Sequence, residues 1–541
     1  MDPHRFHLRT LHRFSDPRDV YAIGFGEAEA NGFPDLDPAR LLLSGPGGAR
    51  LEVAYASPRI LVVRVTGTSL RLSQSVGVAE TVNESADAFV SRILDLGLAF
   101  RFRLRTGKLA RGHGGRTRHP DRMWLDLTPP AGGSAELIIE EIVEDELYVS
   151  PWQFTEPFDA VVARRGTEFA AWRTRFASTL PAGAHAGSLT EAAYIFWAFQ
   201  AGPRGPLKRT AVFMSKNWMT AIWSWDNCFN ARALAVVDPA LAWNQFMFFF
   251  DHQTTGGRSP DLITAFYPQW GMTKPPVYGW TLRHLRKHAW FQDSARLAEA
   301  YEPIARQTRF WIEHRDSDGD GLPEYGHGCD SGWDNSTAFD DTLPCASPDL
   351  GAWLLIQIDE LTDLAPRVGR AGDAPAWKRM GERVLDALRR HCWDGKRWRA
   401  VRAGDHRPSP HGDSLLPWLV GLVGHRLTVE ERAAVVAAIS APGRFLTAHG
   451  VASEAVDSPL YLSDGYWRGP IWGPSTVLAA EAAAACGRPD LAVEIARRFV
   501  AIAPEHGFAE NHDAVTGAPL RDPAYSWTAA AWVTLQQDWL T

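Results

Sequence analysis

The stretch DSARLAEAYEPIARQTRFWIEHRDSDGDGLPEYGHGCDSGWDNSTAFDDTLPCASPDLGAWLLIQIDELTDLA, residues 293–365, decides the fold. Its two ends carry apolar residues at the period of a helix, over 293–314 and 348–365. Ser347 before Pro348 sets a capping side chain ahead of a proline at the first helical position. Between them lies a long segment crowded with Gly, Asp and Trp, containing SGWDNS from Ser331 to Ser336. Asp334, beside Trp333 in glycine-rich sequence, has the setting of a carboxyl group that works on a sugar; the alternative is a turn-forming aspartate.

This unit of helix, long loop and helix recurs on both sides. Capping boxes at Ser188 with Glu191 and Thr428 with Glu431, and Asp238 before Pro239, mark further starts. With the periodicity they predict twelve helices: 188–200, 223–237, 239–252, 276–288, 293–314, 348–365, 375–393, 413–423, 429–440, 472–486, 489–503 and 524–540. Connections after the even-numbered helices are short. Those after the odd-numbered ones are long and hold nearly every Gly-Asp-Trp cluster. In an up-and-down arrangement, connections of one parity emerge on one end. Six such hairpins predict an (α/α)6 barrel over 188–541, in a mainly α chain, with its site at the long-loop end.

Residues 1–155 alternate instead with period two, in 51–55, 59–65, 99–105, 122–127 and 135–143, which predicts an antiparallel β-sandwich. Residues 156–187 predict a helical linker ending in PAGAHAG. The basic stretch 101–118 is expected as a solvated hairpin face.

Composition narrows the function. The 541 residues are 45% hydrophobic and 22% charged, with a net charge of −7, which gives no field for nucleic acid. No stretch approaches the roughly 20 apolar residues that span a bilayer, and the N-terminus lacks an apolar signal core, so a cytoplasmic protein without a membrane partner is expected. Five cysteines without paired spacing argue against a disulfide framework, and 18 histidines show no zinc-protease spacing. The 23 tryptophans recur beside Asp, Gly and Pro in WSWDN, GWDNS and GYWRGPIW, which points to sugar as the partner.

Glycoside cleavage needs one carboxyl group to protonate the leaving oxygen and another to activate water or attack carbon. The long loops offer Asp226, Asp334, Asp464 and Glu510. Each has a competing reading: a helix cap for Asp226, a turn for Asp464, and an ion pair with Arg468 for Glu510.

From about 220 to 527 the motifs resemble the glycoside hydrolase family of processing α-glucosidases and bacterial α-glycosidases (family 63-like), which is related to trehalases. The resemblance rests on Ser331-Gly332-Trp333-Asp334, on Glu510-Asn511 with Thr516-Gly517, on Trp225, Asp226 and Phe229, and on YWRGPIW from Tyr466 to Trp472. His512 departs from it, standing where tyrosine is usual. The resemblance implies an (α/α)6 barrel behind a β-rich domain and hydrolysis of α-glycosides with inversion. Asp334 would be the general acid, raised by burial beside Trp333, and Glu510 the general base. Inversion sets the two carboxyl groups roughly 6.5 to 9.5 Å apart.

Asp226, Arg468 and Trp225, Trp333, Trp467, Trp472 and Trp527 would hold the terminal sugar, with Phe229 and Asn335 lining the same site. The activity expected is an inverting exo-acting α-glycosidase, an α-glucosidase first, on small α-glycosides. A glycoside phosphorylase and a silent carbohydrate-binding protein stay open as alternatives. No cofactor is required, although Asp316, Asp318 and Asp320 in DSDGDGLPEY resemble a structural calcium loop.

Overall fold

The computed structural model describes residues 6–9, 19–25, 28–29, 35–77, 79–94, 97–113, 123–143, 154–203 and 205–541. It divides into two compact units, Met1–Thr174 and Arg175–Thr541.

Among its described residues the first unit holds two antiparallel sheets. One runs Phe6–Arg9, Asp19–Phe25, Leu70–Gln74, Met123–Thr128, Lys108–His113, with Ala28–Glu29 paired to Asp19–Phe25. The other runs Asp35–Asp37, Arg40–Ser44, Arg50–Ser57, Ile60–Thr66, Ser134–Val143, Leu98–Thr106, Ala88–Ile93, Ala79–Asn83. Their inner faces meet at Tyr21, which packs edge-on against Phe100 at 5.7 Å and Phe102 at 5.5 Å and donates its hydroxyl to Ser91 at 2.9 Å. Helix α1, Phe158–Ala177, buries Phe158 and Val161 against Ala54, Val62 and Ile138 of the second sheet. Arg101 departs from the solvated face expected of the basic stretch. It is buried and paired with Glu84 at 3.1 Å and Glu140 at 2.8 Å; residues 114–118 lie outside the described set.

The second unit is helical: α2 Ala186–Ala198, α3 Asp226–Leu234, α4 Pro239–Met247, α5 Tyr278–Leu285, α6 Ser294–His314, α7 Gly328–Ser331, α8 Pro348–Arg367, α9 Ala374–Cys392, α10 Val429–Ser440, α11 Gly473–Ala485, α12 Pro489–Val500, α13 Ala503–His506 and α14 Ser526–Trp539. A 3₁₀ segment, Leu416–Arg426, stands where the eighth helix was expected. There Gly424 presses on the α11 backbone: a Cβ added to it would lie 2.3 Å from the Ala485 carbonyl oxygen.

In the inner ring α3 meets α5, α5 meets α8, α8 meets the 3₁₀ segment, that segment meets α11, α11 meets α14, and α14 closes on α3. Helices α2, α4, α6, α9, α10 and α12 pack outside it. This is the (α/α)6 barrel, with the even-numbered helices of the sequence inside. Their side chains are buried nearly all round, as a helix enclosed by neighbours requires. A buried polar cluster ties three of them: Arg232 of α3 pairs with Glu481 of α11, and Trp280 of α5 donates to Glu481 at 2.7 Å.

The long connections hydrogen-bond to one another in a second closed circuit. Ser224 N–H reaches Asp261 O at 3.1 Å, Lys274 reaches Asp334 at 3.4 Å, and Ser336 and Ser414 hydroxyls meet at 2.7 Å. Leu415 N–H reaches Ser453 O at 3.0 Å, Ile471 N–H reaches His512 O at 2.8 Å, and Ser215 Oγ donates to Asp522 at 2.6 Å. All six long loops therefore gather at one end of the barrel.

Candidate active site

Asp334 is carried by the loop after α7. Within α7, Asp330 is buried and accepts from Thr273 N at 3.0 Å, Arg315 Nη2 at 2.9 Å and Gly326 N at 3.0 Å, so the loop leaves α7 from a fixed point. The chain turns at Gly332, φ 78°, where a Cβ would stand 2.5 Å from the Trp225 ring. Only glycine lets the acid loop lie this close to that indole. The Asp334 side chain is 29% exposed, with the Lys274 ammonium 3.4 Å from Oδ1. The burial beside Trp333 expected from the sequence is not found, because Trp333 turns its ring inward onto Trp467, 4.6 Å away.

Glu510 is enclosed, with the residue 4% exposed. Its N–H donates to Asp522 O at 2.7 Å, and its carbonyl receives Trp527 Nε1 and Thr528 Oγ1, each at 3.4 Å. Burial, and then the Asp522 carboxylate, push the Glu510 carboxyl up to about 7. The field of Asp334 also raises it. Arg468, the partner weighed for Glu510, instead pairs with Asp340 at 2.6 Å and donates to Asn335 O at 2.7 Å. Asp464 pairs with Arg521 at 2.8 Å on the exposed rim.

Asp226 stands at the first position of α3, one residue past the Trp225 cap, and is buried. Burial first, then Asp334 and Asp261, hold it well above the usual carboxylate range against the pull of Lys274. Three carboxyl groups thus converge: the fields of Asp334, Glu510 and Asp226 all act on the Tyr466 hydroxyl. Tyr466 holds φ 64°, a left-handed conformation that is costly for an aromatic residue and typical of a functional turn.

The five tryptophans form a wall. Trp467 stacks on Trp472 at 4.2 Å with the rings 4° apart, and Trp527 stands edge-on to Trp472 at 5.3 Å and to Trp225 at 5.5 Å. Phe229 of α3 continues it, 5.7 Å from Trp225. These rings are buried and meet mostly one another. Asn335 accepts from Trp467 N at 2.9 Å and donates to Gly465 O at 3.0 Å, which uses both ends of its amide to tie the acid loop to the Tyr466 turn.

Four participants were not singled out from the sequence. Lys274, 6% exposed, lies between Asp334 at 3.4 Å and Asp261 at 3.5 Å and donates to Cys329 O at 2.8 Å. Burial opposes its charge, but the Asp334 and Asp261 carboxylates outweigh burial and raise its pKa above the ordinary lysine value. The signal was a lysine inside the apolar, proline-rich run TKPPVY. Asp261 is buried, with its Oδ1 facing the Lys274 ammonium. Asp522 gathers Ser215 Oγ and Trp218 N, the latter at 3.0 Å, under Glu510. Trp218, 47% exposed, stands with Ser215 on the connection between α2 and α3 as an aromatic rim. His512 is buried and pushed down to about 4 by that burial, so it is neutral near pH 7.

Asp316, Asp318 and Asp320 do come together, with carboxylate oxygens within 4.8 Å of one another. Asp316 spends its oxygens on the Asp320 and Gly321 amides, each at 3.1 Å. Glu324 turns back onto Ser317 N at 3.0 Å. A separate groove of about 950 Å³ bordered by Pro442, Leu446, Leu491 and Val515 contains none of these groups. Among the described residues, no helix is long and apolar enough to cross a membrane.

Residues 219–528 match the family model described as the mannosylglycerate hydrolase MGH1-like glycoside hydrolase domain. A mannosylglycerate hydrolase of Rubrobacter radiotolerans is 23% identical over 393 residues, covering 57% of this chain and 89% of the relative. In structure, the family 63 mannosylglycerate hydrolase of Thermus thermophilus in complex with glucose superposes with a TM-score of 0.56 at 20% identity, over 64% of this chain and 98% of that one. A bacterial glucoamylase complexed with acarbose superposes with a TM-score of 0.59 at 11% identity, over 96% of this chain and 89% of that one. The chain belongs to the mannosylglycerate hydrolase MGH1-like family and is a glycoside hydrolase.

Proposed function

We propose that this enzyme is an inverting, exo-acting α-glycosidase of small substrates, with α-glucosides and the α-mannoside of glycerate as the first two to be tried. The glucoside comes from the sequence motifs, and the mannoside from the names of the relatives. In this reading Asp334 protonates the glycosidic oxygen and Glu510 takes a proton from the attacking water. Asp226, buried at the start of α3 and held above the usual carboxylate range by that burial, hydrogen-bonds a sugar hydroxyl, and Lys274 fixes the Asp334 carboxyl from one side.

The observation that carries the reading is Glu510 itself. A buried carboxyl at about 7 can exchange a proton near neutral pH. The same value favours one other assignment, with Glu510 as the acid, and the two assignments predict opposite pH slopes.

The test is to supply each glycoside, with and without phosphate, and follow the released sugar by NMR. Initial release of the β-anomer, unaffected by phosphate, supports the reading. Initial α-anomer overturns inversion, a phosphate requirement favours a phosphorylase, and no release from any α-glycoside overturns the substrate class.

A further inference from the structure

Two histidines outside the acidic end remain unused. His391 lies in the last turn of α9 and His406 in the turn after Val401–Arg402. Their rings stack 3.9 Å apart and 15° from parallel. His406 Nε2 is 2.7 Å from Asp320 Oδ2, and His391 Nε2 is 3.4 Å from the same oxygen. The His391 side chain is 12% exposed, and its Nε2 is buried without a hydrogen-bond partner. Asp318 Oδ2 borders the group, 3.8 Å from His406 Nε2.

One hydrogen bond accounts for His406 but leaves His391 without one, since its buried nitrogen faces the same carboxylate oxygen at 3.4 Å and makes no hydrogen bond to it. A shared cation accounts for both. All three ligand atoms lie within 4.8 Å of one another. Two ligands on one tetrahedral zinc, each bonded at about 2.0–2.1 Å, stand about 3.3 Å apart. Nitrogen donors select an ion of the zinc class over calcium, which prefers an all-oxygen shell.

We propose that Asp320 Oδ2, His391 Nε2 and His406 Nε2 form a binding site for a divalent ion of the zinc class. The ion would join three separate segments: the loop after α6, the end of α9 and the 403–407 turn. The first of these runs on through Glu324, whose N–H meets Arg315 O at 2.6 Å, to the Arg315–Asp330 pair that anchors the acid loop. The role is therefore structural, holding that loop from behind.

The test uses the full-length protein, stripped with chelator and titrated with Zn²⁺ and with Co²⁺ as a visible probe. The expected result is one ion per chain, a ligand-field spectrum with Co²⁺, and a higher thermal midpoint with Zn²⁺. His391→Ala and His406→Asn should each weaken binding about tenfold or more and abolish the midpoint rise. Asparagine is chosen because position 406 has φ 53°, which it tolerates. Absence of stoichiometric binding, equal binding by both variants, or binding of Ca²⁺ alone that both variants retain would each overturn the site.

Discussion

The loops bearing Asp334 and Glu510 solve one problem in two ways. Asp334 is 29% exposed and is held by a contact with another loop, the buried ammonium of Lys274 at 3.4 Å. Glu510 is 4% exposed and is controlled by desolvation, reinforced by Asp522, which together lift it to about 7. Burial disfavours an ionised carboxylate, so Glu510 keeps its proton to higher pH than an exposed glutamate would. Two carboxyl groups on one barrel end are therefore held in different surroundings, one half-open beside an ammonium and one enclosed.

Removing either group should have the largest effect. Asp334→Asn and Glu510→Gln are each expected to lower kcat roughly a hundredfold to ten-thousandfold, with unchanged circular dichroism. In the wild type, Glu510 acting as base must be ionised. Because its pKa is about 7, kcat/KM should fall about tenfold for each unit of pH below that value. A profile that falls instead as pH rises through 7 would exchange the two roles.

Breaking the charge control comes next. Lys274→Met leaves Asp261 and Asp334 facing each other without their cation and should cost about 3 kcal/mol in chemical denaturation. Asp261→Asn in that background should recover part of the loss. If Lys274→Met is as stable as wild type, the ammonium is not what holds the acid loop.

Smaller effects test the positioning of the loops. Gly332→Ala must hold a left-handed backbone and push the Trp225 ring away, at a cost of about 1–2 kcal/mol from the backbone alone. Asn335→Ala removes two hydrogen bonds to the Tyr466 turn at an exposed position. It should lower stability by about 0.5–1 kcal/mol and change kcat only a few-fold.

The barrel was legible in the sequence because its signals are local. Helical periodicity and caps such as Thr428 with Glu431 locate the hairpins, and the alternation of long and short connections gives the functional end. The eighth helix is instead a 3₁₀ segment interrupted at Val423, and the close approach of its Gly424 to the α11 backbone is a contact that local sequence cannot display. The Trp-Asp motifs stood out as site sequence, but the stacking of Trp467 on Trp472 is a tertiary contact that their chemical type alone does not show. Lys274 and Asp261 were overlooked for a related reason: their pairing with Asp334 joins two loops and exists only in three dimensions. In the first unit the shorter strands, such as Ala79–Asn83, carry too little alternation to be seen.

The division of labour is tested most directly with α-glucosyl and α-mannosyl fluorides, whose leaving group needs no proton. Asp334→Asn should hydrolyse the productive fluoride at close to the wild-type rate, and Glu510→Gln should remain inactive on both. The reverse pattern, with Glu510→Gln active and Asp334→Asn silent, would contradict the assignment of Asp334 as acid and Glu510 as base.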